Sequence, residues 1–138
     1  MKPRLRAVSL VAGAGLLLVT SRAAIAHHSF AAEFDANRPL NLTGAVTKLE
    51  WANPHTWFYI DVTAPGGKVV NWAFEMGSPN ALKRAGWSRD TLKIGDVVNV
   101  IGTQARDGSM VGNARFVTLT ATGQKLFTAT SDPAARQQ

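Results

Sequence analysis

His55-Thr56-Trp57-Phe58-Tyr59-Ile60-Asp61-Val62-Thr63-Ala64-Pro65-Gly66-Gly67-Lys68-Val69-Val70-Asn71-Trp72-Ala73-Phe74-Glu75-Met76 is a β-branched and aromatic run interrupted by Pro65-Gly66-Gly67. It reads as two antiparallel strands, His55 to Val62 and Lys68 to Met76, joined by a hairpin loop. Side chains alternate across a strand, so the run sorts itself into faces. Thr56, Phe58, Ile60 and Val62 share one side of the first strand; His55, Trp57, Tyr59 and Asp61 share the other. In the returning strand Val70, Trp72, Phe74 and Met76 form the apolar row, and Val69, Asn71, Ala73 and Glu75 the opposite one.

Upstream, Leu40 to Trp51 alternates through Leu40, Leu42, Val46 and Leu49, with Gly44 marking a bend or bulge. Asn53-Pro54 signals the turn that follows. Downstream, Ser78 suits a helix N-cap, Pro79 the first helical position and Gly86 the stop. Leu92 to Asp96 turns the chain into a strand from Val97 to Thr103. Asp107-Gly108 marks another hairpin, Asn113 to Thr120 is the next strand, and Lys125 to Thr128 a short last one. Three strands, a short helix and two or three more strands is the element order of an OB-like barrel. The expected fold class is therefore mainly β, a small five- to six-stranded OB-like barrel with one helix between strands 3 and 4. A β-sandwich is the competitor. The expected core is Phe58, Ile60, Val62, Val70, Trp72, Phe74, Val98 and Val100, with one of Phe116 and Val117 facing in and the other out.

The chain begins with Lys2, Arg4 and Arg6, then an apolar run from Ala7 to Thr20, then Ala24 and Ala26 at small-x-small spacing. That is the three-part pattern of a secretory signal. The apolar run of about 14 residues falls short of the roughly 20 needed to span a bilayer. Cleavage after Ala26 would leave no membrane anchor and place the mature protein in the periplasm or outside the cell. Without an Arg-Arg pair in the n-region, the general secretory route is expected. The boundaries read as signal peptide 1–26, N-terminal arm 27–39, barrel 40–129 and a flexible, small and polar tail 130–138.

The mature part would hold 112 of the 138 residues, one domain's worth. Four of the 15 basic residues leave with the signal, so 11 face 9 acidic ones, a net charge of about +2. That is not the footprint of a nucleic-acid binder. The absence of cysteine excludes disulfides, thiolate metal sites and a cysteine nucleophile. No P-loop, dinucleotide fingerprint or zinc-protease motif is present.

Two features bear on function. The face of strands two and three is the usual ligand platform of such barrels, and here it would carry Trp57, Tyr59, Asp61, Asn71 and Glu75. The competing reading is structural, with Phe30 and Phe34 of the arm covering Trp57 and Tyr59. The second feature is the mature start, His27-His28. A terminal His chelates through its amino nitrogen and imidazole Nδ1, and nitrogen donors suit Cu(II). His28 or His55 could add a further nitrogen, which makes His27, His28 and His55 the candidate metal ligands and copper the candidate cofactor. The competing reading leaves His27 and His28 as solvated terminal residues and His55 as a turn cap. A chelate that needs His at the third mature position fails, because Ser29 stands there. His55 could alternatively act as a general base oriented by Asp61 or Glu75, but no nucleophile elbow surrounds Ser29 or Ser78.

His27-His28-Ser29-Phe30-Ala31-Ala32-Glu33-Phe34-Asp35, the Leu42-Thr43-Gly44 to Glu50-Trp51-x-Asn53-Pro54-His55 stretch and Asn71-Trp72-x-Phe74-Glu75-x-Gly77-Ser78-Pro79-Asn80 together carry a resemblance. The chain resembles a family of small exported proteobacterial proteins catalogued as a domain of unknown function. The resemblance covers nearly the whole mature chain and implies an exported single domain, with no established activity. The reading that results is a non-catalytic periplasmic binding protein, with copper as a candidate ligand at the N-terminal histidines. The alternative is a metal-free module that holds a protein, glycan or small molecule on the aromatic strand face. A periplasmic enzyme centred on His55 comes third.

Overall fold

The computed structural model describes residues 29–133 and Ala135. The stretch 1–26 that reads as a secretory signal, and the histidines at 27 and 28, lie outside the described residues. In chain order the elements are α1 (Phe30–Glu33), β1 (Phe34–Glu50), β2 (Trp57–Thr63), β3 (Val69–Glu75), α2 (Pro79–Arg84), β4 (Val97–Ala105), β5 (Val111–Leu119) and β6 (Lys125–Phe127). The six strands form one sheet in the order β3-β2-β1-β4-β5-β6, and β3 also pairs with β5. That last pairing is parallel, Ala73 with Val111, Phe74 with Gly112 and Glu75 with Asn113, and it closes the sheet into a ring. The molecule is thus a mainly β, OB-like barrel with its one interstrand helix between β3 and β4.

A single 17-residue strand can serve both neighbours because it bends. β1 pairs with β4 from Phe34 to Ala45 and with β2 from Ala45 to Glu50. Gly44 sits at the corner: a Cβ there would overlap the Asp61 carbonyl. A register shift between Val46 and Lys48 adds the bulge that re-aims the strand. The expected bend is present, with its extra residue at Thr47, three positions past the glycine. Asn53-Pro54, joined by a cis peptide bond, forms the turn into β2.

The alternation read from the sequence places the core. Phe58, Ile60, Phe74, Val98, Val100 and Val117 are fully buried, and Trp72 nearly so. Phe74 stacks on Phe58 with ring centroids 5.4 Å apart and lies 6.1 Å from Trp72. Val62 and Val70 are half-buried, because they sit at the hairpin end where the barrel opens. Val117 faces in, whereas Phe116 turns out to meet Phe127 and the Lys125 ammonium. One end is plugged by α2, whose buried Leu82 joins Met76 in the core. Ser78 caps that helix, its Oγ accepting from the Ala81 N–H at 3.3 Å.

Two expected boundaries are corrected. The stretch 27–39 is not all arm: β1 starts at Phe34, which pairs with Ala105, and a register shift lies between Phe34 and Pro39. Pro39 and the stretch Asp35-Ala36-Asn37-Arg38 interrupt the alternation, which hid the strand's beginning. Nor is the C-terminal stretch loose over the described residues Thr130 to Asp132. Both of those residues are buried, with Asp132 in an ion pair with Arg115. Composition alone could not reveal that partner 17 positions away.

Phe74→Ala should cost about 3–5 kcal/mol of stability, as buried Phe truncations do. Gly44→Ala should also destabilise, through the Asp61 carbonyl clash. Urea unfolding of both variants reads this; a midpoint unchanged for Gly44→Ala would remove the corner from the account.

Candidate functional site

The outer face of β2 and β3 carries the residues singled out for binding, and cross-strand register sorts them into pairs. Asp61 lies opposite Asn71, Tyr59 opposite Ala73 and Trp57 opposite Glu75. At the hairpin end the polar groups satisfy one another. Asn71 Nδ2 donates to Asp61 Oδ1 at 2.7 Å and to Thr47 Oγ1 at 3.2 Å. In the middle of the face the Tyr59 hydroxyl donates to Glu50 Oε2 at 2.9 Å. Lys48 pairs with the same carboxylate while its ammonium sits 5.0 Å from the centre of the Tyr59 ring.

These contacts shift the groups in a consistent direction. The Lys48 ammonium and the Tyr59 hydroxyl hold the Glu50 carboxyl below its usual range. Burial first, and then the hydrogen bond to Glu50, raise the Tyr59 phenol. Tyr59 therefore stabilises the fold fully below its ordinary pKa and ceases to do so as pH rises through the raised value. Asp61, Asn71 and Tyr59 are thus brought onto one face but committed to partners within it.

The other end of the face is different. Trp57 lines a cleft of about 340 Å³ together with Phe34 and Ala32 from the N-terminal segment, Val111 from β5, and Arg106, Asp107 and Ser109 from the β4–β5 turn. The cleft's shape depends on how α1 is held. Arg106 does that: its Nε donates to the Ala31 carbonyl at 2.6 Å and its backbone N–H to the Glu33 carbonyl at 2.9 Å. Phe30 stacks on Phe34, ring centroids 5.4 Å apart. Phe34 and Trp57 line the same cleft, and the Lys48 ammonium lies over the Tyr59 ring.

His55, two positions before Trp57 on the same side, stands at the edge of this region. Its Nδ1 is 3.2 Å from the Met76 carbonyl and 3.5 Å from Glu75 Oε1. The side chain remains 29% exposed. Glu75, by contrast, is only 5% exposed although it lies on the outer row. Asn113, its neighbour in the parallel register, donates Nδ2 to Glu75 Oε1 at 3.2 Å, and the Thr130 hydroxyl donates to Asn113 Oδ1. Asn113 and Thr130 were not singled out from the sequence. Only the parallel β3–β5 register and the packing of the C-terminal segment bring them here, and neither leaves a local sequence signal. Asp61, considered with Glu75 as a possible orienter of His55, is six residues further along β2 and bonded to Asn71. Among the described residues no group of three or more His, Cys, Asp or Glu is arranged to hold a metal ion. His55 is thus the one candidate metal ligand that the structure places.

A family model described as a family of unknown function, DUF6152, matches residues 14–114. The matched stretch takes in both strands of the outer face, with His55, Glu75 and Asn113. No curated protein matches the chain.

Tyr59 is the chain's one tyrosine, so ultraviolet titration reads it alone. The phenol should titrate above its ordinary value of about 10, and Glu50→Ala should bring the midpoint part of the way back, since burial remains. A wild-type midpoint at or below 10 would mean that the Tyr59–Glu50 contact does not form in solution.

Proposed function

The chain belongs to the DUF6152 family of unknown function, and from that premise we propose that it is an exported, non-catalytic binding protein that takes Cu(II) at the His55 end of the β2–β3 face. Export is supported by the basic start, the short apolar run and the Ala24-x-Ala26 cleavage pattern. Among the described residues no helix is long and apolar enough to cross a membrane. Cleavage after Ala26 makes His27 the first residue of the periplasmic or secreted protein.

The observation that carries the metal reading is the commitment of His55 Nδ1. With that nitrogen 3.2 Å from the Met76 carbonyl and 3.5 Å from Glu75 Oε1, the tautomer protonated at Nδ1 would leave Nε2 as the nitrogen that donates to a metal. A ligating histidine is held in this way by a carbonyl or carboxylate on its other nitrogen. His27 would add its amino nitrogen and Nδ1, and His28 stands next to it in sequence. A set of nitrogen donors without thiolate favours Cu(II) among the first-row divalent ions. Binding rather than catalysis is favoured because no nucleophile elbow surrounds Ser29 or Ser78, and Ser78 Oγ is engaged as a helix cap.

The Trp57 cleft favours a second reading, a metal-free module. Its volume of about 340 Å³ reaches the lower end of the range for small-molecule sites. Its Trp57 and Phe34 side chains would take the apolar face of a small molecule, a glycan or a side chain of a partner protein.

Intact mass of protein purified from periplasm, followed by Cu(II) titration of the same sample, tests the copper reading. The expected outcome is a chain starting at His27 that binds about one Cu(II), and a folded His55→Ala variant whose affinity is lower by roughly tenfold or more. A different start, or affinity unchanged by His55→Ala, overturns it. The Trp57 cleft would then become the place to look for a ligand.

A further inference from the structure

The segment between α2 and β4 is held to the barrel by Leu82, Trp87 and Leu92, which are all buried. The residues between and after these anchors include four exposed cations, Lys83, Arg84, Arg89 and Lys93. Lys83 and Arg84 stand in the last turn of α2, where a cation suits the carbonyl end of the helix. Arg89 and Lys93 lie beyond the helix and have no such role. Among the described residues none of the four is in an ion pair. The carboxylates of this segment are Asp90 and Asp96, and Asp96 Oδ2 accepts the Lys93 backbone N–H at 2.8 Å.

The segment ends in a turn that is firmly fixed. The Asp96 N–H donates to the Lys93 carbonyl at 3.0 Å, the Gly95 N–H to the Val46 carbonyl at 2.8 Å and the Val46 N–H to the Asp96 carbonyl at 2.8 Å. Gly95 has φ 93°, which makes this a type II turn with Ile94 at its first corner. That corner accepts most residues, so the turn itself does not call for isoleucine. Ile94 is nevertheless 77% exposed, the most open large hydrophobic side chain among the described residues, and Val97 is 45% exposed. The loop 120–124 adjoins them, Thr120 donating its N–H and its hydroxyl to the Val97 carbonyl. It carries no charge, and Lys125 follows it. Glu33, Asp35 and Asp107 belong to the other end of β4, where Phe34 pairs with Ala105. The rise of a nine-residue strand sets the two ends about 25 Å apart.

We infer that the α2–β4 segment docks on an anionic lipid surface, Ile94 entering the interface while Arg89, Lys93 and the α2 cations meet lipid phosphates. Charge complementarity and the apolar tip together select this occupant. A soluble anion would answer the cations but not Ile94. A bilayer offers negative charge at its face and apolar chains just below, and binding strength rises with both. The turn holds Ile94 in place before contact, so little order has to be gained on docking. Docking of this kind is reversible, and it stands independently of the copper reading and of the Trp57 cleft.

Co-sedimentation of the purified protein with mixed phosphatidylglycerol–phosphatidylcholine vesicles tests the inference, with pure phosphatidylcholine vesicles as the comparison. Binding should favour the mixed vesicles and weaken as salt rises to about 1 M, where the screening length falls to about 3 Å. Arg89→Gln and Lys93→Gln should each lower partitioning about fivefold, and Ile94→Ser about tenfold. All three side chains are exposed, so the thermal midpoints should match that of the wild type. Arg38→Gln removes the same charge at the far end of β4 and should leave partitioning unchanged. Equal losses in Arg38→Gln and Lys93→Gln overturn the inference, because net charge alone would then set the binding. Partitioning unaffected by Ile94→Ser also overturns it. Absence of binding to the mixed vesicles does so outright, and leaves an acidic protein as the counterpart of the four cations.

Discussion

The parallel pairing of β3 with β5 is the constraint on which the rest of this structure depends. All other pairings in the sheet are antiparallel, and without this one the sheet would have two open edges instead of a closed wall. It is short, three residue pairs, and needs a close approach at Gly112. A Cβ on that residue would come within 2.8 Å of both Leu40 and Phe74. The glycine thus lets the Phe74 ring fill the barrel from β3 while β5 lies directly alongside. The same register sets Asn113 beside Glu75. Core closure and the buried Glu75–Asn113 contact follow from one geometric fact.

The elements that flank the ring are tied to it by side chains reaching across sequence. Trp87, in the segment after α2, is buried and donates its indole N–H to the Phe127 carbonyl at 2.8 Å, so the short β6 is held against the helix end of the barrel. Gly77 passes so close to Ala129 that a Cβ would overlap its carbonyl. These contacts lead the chain after β6 back over β5 and β3, where Thr128, Thr130 and Asp132 become buried. Burying so many hydroxyl and carboxylate groups is tolerable because they are hydrogen-bonded. Thr128 donates to the Ala114 carbonyl, Thr130 to Asn113, and Arg115 to Asp132. At the opposite pole Arg106 performs the corresponding task for the N-terminal segment.

How much of this was legible in the sequence depended on range. The period-2 pattern of residues 56–62 and 70–76 placed Phe58, Ile60, Trp72 and Phe74 inside and Trp57, Tyr59, Asp61 and Asn71 outside, because alternation is local and burial enforces it. The Ser78-Pro79 helix start was equally plain. Where a feature depended on a distant partner, it was hidden. Glu75 follows the outward parity of its row, yet a strand almost 40 residues later covers it. The first turn of β1 was masked by Pro39 and its polar neighbours, which break the alternation although the backbone still pairs. The C-terminal segment has a composition that suggests fraying, and only Arg115 and Asn113 explain why Thr130 and Asp132 are held.

The outer face shows why function should concentrate at one end of it. A polar group bonded within its own sheet has little to offer a ligand, since each new contact must first break an old one of similar worth. Asp61 with Asn71, and Tyr59 with Glu50 and Lys48, are in that position, so the part of the face nearest the hairpin is chemically closed. Towards Trp57 and His55 the balance reverses. The indole opens on a cleft, and the imidazole has one nitrogen fixed by the fold and the other unclaimed by it. The cleft that Trp57 lines is bounded on one side by Ala32 and Glu33 of α1, the first described element. A ligand that met this end of the face would find groups already fixed by the closed ring of strands, which lowers the cost of ordering them on binding.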